Sequence, residues 1–224
     1  MVGEKDMLKK INNHIVQCSD IMKDQTQLLD MIKGKVDILY CDPPWGDGMI
    51  KFFNTLRKKQ TNTFSENLPE NKTFLNRLAV LTLQSKAKFI CIENGNKWSF
   101  ETEEVFKING FFHVATINGY YDKPKKPMKV HLFLNLDQIE NKNKGYIEEL
   151  KNKFITSATD KSGFELVESV FFSCLGNNLK DKTVFDLCCG FGMTAKIAKK
   201  HGMNFVGNEV NQKRLDKTIK VLNG

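Results

Sequence analysis

The sequence has no run of about 20 apolar residues, the length a helix needs to span a bilayer. Its opening, MVGEKDMLKKINNH, is too polar for the apolar centre of a secretory leader. Cysteine is present but unpaired in pattern. Cys18, Cys41, Cys91, Cys174, Cys188 and Cys189 form no CxxC, and no second cluster stands at zinc-ligand spacing, so neither a metal site nor a disulfide framework is expected. Reduced, mostly buried thiols and the missing leader imply a soluble, intracellular protein without a membrane partner. No internal repeat occurs, and 41% apolar with 27% charged residues excludes a disordered or collagen-like chain. A length of 224 residues suffices for one well-buried core. The formal net charge of +8 favours a polyanionic partner.

Short apolar runs alternate with amphipathic stretches, which predicts an α/β fold: a doubly wound, Rossmann-like sheet of about seven strands. Strands are expected at 14–18, 36–41, 88–92, 111–118, 130–136, 183–187 and 204–207. The pair at 111–118 and 130–136 reads as a late antiparallel hairpin around the Lys/Pro-rich YYDKPKKPMK. Helices are expected at 20–34 (capped by Ser19 or Asp20 and closed by Gly34), 74–84, 99–108, 164–175, 193–200 and 212–221. Residues 46–72 read as a long connection containing at most a short helix. A single domain results: a half at 1–136, a short polar linker at 137–158 and a second half at 159–224.

Two constellations carry chemistry. In Val184-Phe185-Asp186-Leu187-Cys188-Cys189-Gly190-Phe191-Gly192, a strand ends in an acid and turns through two glycines into a helix. Open α/β sheets bind ligands at this position, and glycine lets the backbone approach them closely. A three-glycine dinucleotide fingerprint and a P-loop are both missing. Glu209 closes the next strand and can bind the two hydroxyls of a ribose, so the pair reads as a nucleoside-cofactor site. The second constellation is Asp42-Pro43-Pro44-Trp45, directly after the strand VDILYC. Prolines fix the backbone there at conformational cost. The turn offers a carboxylate, a carbonyl and a flat ring, which together suit a planar amine.

Asp-Pro-Pro-Trp after a strand strongly resembles the catalytic motif of the exocyclic amino-methyltransferases. With the catalytic turn at 42–45 and the glycine loop at 186–192, the motif order resembles the circularly permuted, beta-type members, and the resemblance covers nearly the whole chain. It implies a single S-adenosylmethionine-dependent domain whose 1–136 portion is the catalytic half and whose 159–224 portion is the cofactor-loop half. It also implies that Asp42 and the Pro43 carbonyl hold the target amine in the turn stiffened by Pro44, with Trp45 against the flipped base. Asp186, Cys188, Gly190 and Gly192 look like the cofactor loop, Glu209 like the ribose-binding acid and Asp20 like the acid at the adenine end. Thr159–Phe164 resembles a segment touching the cofactor from the other side. The sequence departs from the family at Leu-Cys-Cys-Gly-Phe-Gly, where members often carry Pro-Phe-x-Gly-x-Gly. It also has no room at 137–158 for a target-recognition domain, so specificity falls to loops, a homodimer or a second subunit.

The implied reaction moves a methyl group from S-adenosyl-L-methionine to N6 of adenine in DNA. RNA adenine methylation is the main alternative, and a noncatalytic nucleic-acid-binding subunit the next. Asp rather than Ser at 42 disfavours cytosine N4, while guanine N2 and protein glutamine enzymes usually begin with Asn. Alignment and electrostatics carry such a reaction, so His113 and His131 read as strand structure rather than bases. Asp47 can hydrogen-bond within the catalytic loop. Lys51, Arg57, Lys58 and Lys59, and Lys123, Lys125, Lys126 and Lys129, are candidate phosphate contacts. The expected location is cytoplasm or nucleoid, and small size with a Lys/Asn-rich composition hints at a phage or mobile-element origin.

Overall fold

The computed structural model describes residues 7–61, 65–121, 126–139 and 144–224. Its eight strands are β1 (Met7–Ile11), β2 (His14–Cys18), β3 (Ile38–Cys41), β4 (Phe89–Gly95), β5 (Phe111–Tyr120), β6 (Pro127–Asn135), β7 (Thr183–Asp186) and β8 (Asn204–Glu209). They form one sheet in the order β1-β2-β8-β7-β3-β4-β6-β5. From β2 to β4 all neighbours are parallel; β6 then runs antiparallel between β4 and β5, and β1 pairs antiparallel with β2. The expected late hairpin is thus β5–β6, with β6 rather than β5 beside the parallel core.

Helices α1 (Thr26–Ile32), α2 (Gly46–Thr61), α3 (Asn71–Ser85), α4 (Ser99–Ile108), α5 (Leu136–Ile139), α6 (Lys144–Ala158), α7 (Gly163–Leu175), α8 (Met193–His201) and α9 (Gln212–Asn223) complete the described chain. Central strands are buried on both faces, and period two sorts their side chains. Ile38 and Tyr40 of β3 face the core built with α6, α7, α8 and α9, around Phe154, Phe171 and Leu215. Leu39 and Cys41 face the opposite core with α1, α3 and α4, around Leu28, Leu78 and Phe106. None of the described helices is long and apolar enough to cross a membrane.

Four local expectations need correction. β1 is an eighth strand: Lys9 and Lys10 break its alternation, which an edge position tolerates, and Asn12 at φ +51° makes the tight turn into β2. The first helix starts at Thr26, not at 20, because Asp20 turns the chain instead, its carbonyl accepting from the Lys23 N–H at 2.9 Å and its carboxylate from the Met22 N–H at 3.0 Å. Residues 46–61 are a 16-residue helix rather than a connection. The polar segment at 137–158 contains α6, whose Leu150, Phe154 and Ala158 form a buried stripe one residue wide.

Candidate active site

The parallel strands β2, β8, β7, β3 and β4 point the same way, so their carboxyl ends share one edge of the sheet. Prolines at 43 and 44 cannot donate to a ladder, and the chain leaves that edge at Asp42. The Asp42 carboxylate is held from two sides: the Trp45 indole N–H donates to Oδ1 at 2.9 Å, and the Tyr121 hydroxyl donates to Oδ2. Trp45 packs against Gly95 so closely that a Cβ there would stand 2.7 Å from its ring. Tyr121 meets the same indole edge-on, with centroids 5.1 Å apart. The turn is tied to α3 by two bonds, from the Gly46 N–H to Asn71 Oδ1 at 3.0 Å and from the Asn71 N–H to Asp47 Oδ1 at 2.6 Å. Asp47 therefore bonds to the start of α3 rather than within the loop itself.

Burial raises the pKa of Asp42 to about 6, against the opposing pull of the Tyr121 and Trp45 hydrogen bonds and the charge of Arg214. Glu93, on β4 next to this turn, is buried and accepts from the Tyr40 hydroxyl at 2.6 Å. Burial, with the charge of Asp42, holds its carboxyl well above the usual range.

The glycine loop lies after the neighbouring strand. Asp186, the last residue of β7, accepts from Thr194 Oγ1 at 2.6 Å and from the Cys188 N–H at 3.0 Å. Burial still pushes its pKa to about 7, with Asp42 and Glu209 adding to the rise. Cys188, two residues after Asp186, is partly buried. Gly190 and Gly192 sit at φ +54° and +81°, in the left-handed region. Glu209, at the end of β8, accepts from the Gly190 N–H at Oε2 and from the Asn211 N–H at Oε1, both at 2.9 Å. A carboxylate has about four acceptor sites, so beside these bonds and that from the Val210 N–H Glu209 retains capacity for a further donor. Burial raises this acid as well. The guanidinium of Arg214 lies over Gly190, 4.0 Å from Glu209 and between the rings of Phe53 and Phe191, at 4.7 and 4.6 Å.

α2 forms the wall beside this loop. Phe53 meets Arg214, Arg57 pairs with Asp20 at 3.5 Å, and Gln60 accepts from Asn211 at 2.9 Å. Arg57 is only 8% exposed, so it ties α2 to the end of β2 rather than standing open to a phosphate. Lys51, Lys58 and Lys59 on α2 are exposed, as is Lys126. Lys129 donates to Asn118 at 2.6 Å, and Lys123 and Lys125 lie outside the described residues. The segment 159–164 pairs with the end of β5, where the Tyr120 N–H donates to the Lys161 carbonyl at 3.0 Å. The Lys161 ammonium turns to Ser169 and Glu165.

Glu103, His113 and His131 bring possible ligand atoms within 4.8 Å of one another. Their ring nitrogens are already engaged. Thr116 Oγ1 lies 2.8 Å from His113 Nε2 and 2.9 Å from His131 Nδ1, and Ser99 Oγ lies 3.0 Å from His131 Nε2. Burial lowers His131 to about 4, so it sits neutral in this chain between α4 and the β5–β6 hairpin.

Sequence reading missed Tyr121, Glu93, Arg214 and Asn71. Glu93 carried a usable signal, an acid at the end of an apolar strand, as at Asp42. The other three join the site through contacts distant in the chain.

No family model matches the sequence, and no curated protein matches it. Solved structures do match in fold. The complex of M1.HpyAVI with SAM superposes with a TM-score of 0.62 at 14% identity, over 93% of this chain and 98% of that one. TTHA0409 of Thermus thermophilus, complexed with S-adenosyl-L-methionine, gives 0.56 at 14%, over 88% and 91%. The cytosine-N4-specific PvuII DNA methyltransferase gives 0.54 at 14%, over 90% and 91%. The chain is thus built on the Rossmann-like, permuted sheet that these solved structures share.

Proposed function

We propose that this protein is an S-adenosylmethionine-dependent methyltransferase acting on an exocyclic amine of a nucleic-acid base, N6 of adenine in DNA. The observation that carries the reading is the convergence on one sheet edge of the Asp42-Pro43-Pro44-Trp45 turn, the Gly190/Gly192 loop and Glu209, from strands β3, β7 and β8. The residues fit the donor. Glu209 keeps acceptor capacity for a ribose hydroxyl, and the left-handed turns at Gly190 and Gly192 hold the loop backbone beside it. Burial raises the pKa values of Asp42, Glu93, Asp186 and Glu209, so this edge presents an acidic lining suited to a cationic donor. When bound, the sulfonium supplies an activated methyl group.

The chain's own task is alignment. An aromatic amine is a poor nucleophile because its lone pair is delocalised into the ring. Asp42 and the Pro43 carbonyl accept its two N–H bonds and favour a pyramidal nitrogen, with the lone pair directed away from both. Asp42 accepts best when ionised, above about pH 6. With the methyl group passed to nitrogen, the donor's S–C bond broken and its sulfur left as a neutral thioether, the nitrogen would carry the positive charge and shed one proton, for which the carboxylate is the nearest acceptor. The base reaches the turn only when unstacked, which costs a few kcal/mol in a duplex and less in a single strand. Exposed Lys51, Lys58 and Lys126 are the candidate phosphate contacts among the described residues.

The test is transfer of a tritiated methyl group to matched DNA and RNA pools, read by nucleoside mass spectrometry. N6-methyladenine in DNA is expected, with Asp42→Ala lowering kcat by about 100-fold or more. N4-methylcytosine would replace the target base, and label in RNA alone would replace the polymer. Absence of S-adenosylmethionine binding would sink the proposal.

A further inference from the structure

We propose that Tyr121 is a positioning residue for the Asp42 carboxylate: its phenol and the Trp45 indole hold one oxygen each and fix the plane in which the amine is received. This inference rests on the proposed function for its catalytic meaning. The hydrogen bonds themselves do not.

A free carboxylate rotates about its bond to Cβ, and a rotating acceptor cannot hold a nucleophile's lone pair in one direction. Trp45 stops half of that rotation from within the motif, through its bond to Oδ1, and is itself held by close packing against Gly95. The other oxygen has no partner in the motif. Its donor comes from 79 residues away, where Tyr121 follows β5 and brings its hydroxyl to Oδ2. The edge-on contact of Tyr121 with Trp45, at an interplanar angle of 69°, makes the two donors one packed unit. Each oxygen then keeps one acceptor site, and the Pro43 carbonyl supplies another.

Tyr121 also has a second tie. Its N–H donates to the Lys126 carbonyl at 3.0 Å, closing the base of the Lys/Pro-rich connection between β5 and β6.

The proposal separates from a purely structural role through the ionisation of Asp42. Arg214 from α9, Glu93 from β4, Asp186 from β7 and Tyr40 from β3 surround this carboxyl and are all unchanged by substitution at 121. Tyr121→Phe keeps the ring against Trp45 and removes only the O–H. Carboxyl carbon-13 NMR of the full chain, with Asp42 assigned by its loss in Asp42→Asn, reads the midpoint without substrate or cofactor. Loss of a donor to the charged form moves the midpoint upward from about 6, by roughly 0.5 to 1 on the pH scale. Where transfer is measured, the acidic limb of kcat moves with it. We expect kcat to fall about tenfold with KM changed less than twofold, while Tyr121→Leu, lacking the ring as well, falls further. An unchanged midpoint in Tyr121→Phe overturns the proposal even in an active enzyme. A shifted midpoint in a protein that transfers no methyl group leaves the Tyr121–Asp42 grip standing and refutes the function instead.

Discussion

At Gly192 the backbone sits at φ +81°, and an added Cβ would stand 3.2 Å from the Cα of Thr218 on α9. Backbone cannot move aside as a flexible side chain can, so Gly192→Ala combines left-handed strain with a steric push. The strain alone costs about 1–2 kcal/mol, and for a domain of this size each kcal/mol lowers Tm by about 2–4 °C. Calorimetry should show a fall of roughly 5 °C, and an unchanged Tm would mean that the loop relaxes freely. Gly190 differs, because its nearest obstacle is the mobile end of Arg214. Asp42, Asp186, Gly190, Gly192 and Glu209 were all legible in the sequence, since each is placed by a strand end and the turn that follows it. Tyr121 and Arg214 were not, because their partners are set by which strands and helices pack together. Arg57 looked like a surface cation, and only the approach of Asp20 showed it to be buried.

Among the elements, α2 was the largest miss. Two glycines open it, and its apolar residues surround the helix instead of forming one stripe: Ile50 is buried, whereas Met49 and Phe52 are exposed. That pattern belongs to a cleft wall. Its inward residues Phe53, Arg57 and Gln60 reach Arg214, Asp20 and Asn211, all beside residues assigned to the cofactor. On the proposed function, Arg57→Gln loosens this wall and weakens S-adenosylmethionine binding about tenfold, equal to about 1.4 kcal/mol. Titration calorimetry would check it, and an unaltered Kd would remove α2 from the cofactor site. The short parallel strands were easier to find, being continuous apolar runs closed by Gly, Pro or an acid. α6 was hidden because a helix that buries one residue per turn reads as polar.

For the whole molecule, the carboxyl edge of the sheet is an acidic nest in a chain of net charge +8. Asp42 and Asp186 have folded pKa values of about 6 and 7 against an ordinary 3.8, so their share of stability is complete below about pH 4 and is lost as pH rises through 6 to 7. His131 works in the opposite sense. Lowered to about 4 from 6.5, it favours the fold above pH 6.5 and withdraws that support on acidification. Glu93 and Glu209 side with the aspartates. With His14 and His113, also lowered by burial, on the side of His131, the ligand-free protein should gain on the order of 1 kcal/mol of stability between pH 8 and pH 5.5, since each tenfold change in proton affinity on folding is worth about 1.4 kcal/mol. Urea unfolding at the two pH values would show it, and a flat or reversed profile would mean that the nest is already neutralised. The strand order has a consequence of another kind. β2 has β1 on one side and β8 on the other, and the His14 ring accepts from the Phe205 N–H, 191 residues along the chain. During synthesis on a ribosome, the β1–β2 hairpin must therefore wait with an open edge until β8 is made, which makes that hairpin a natural client for a chaperone.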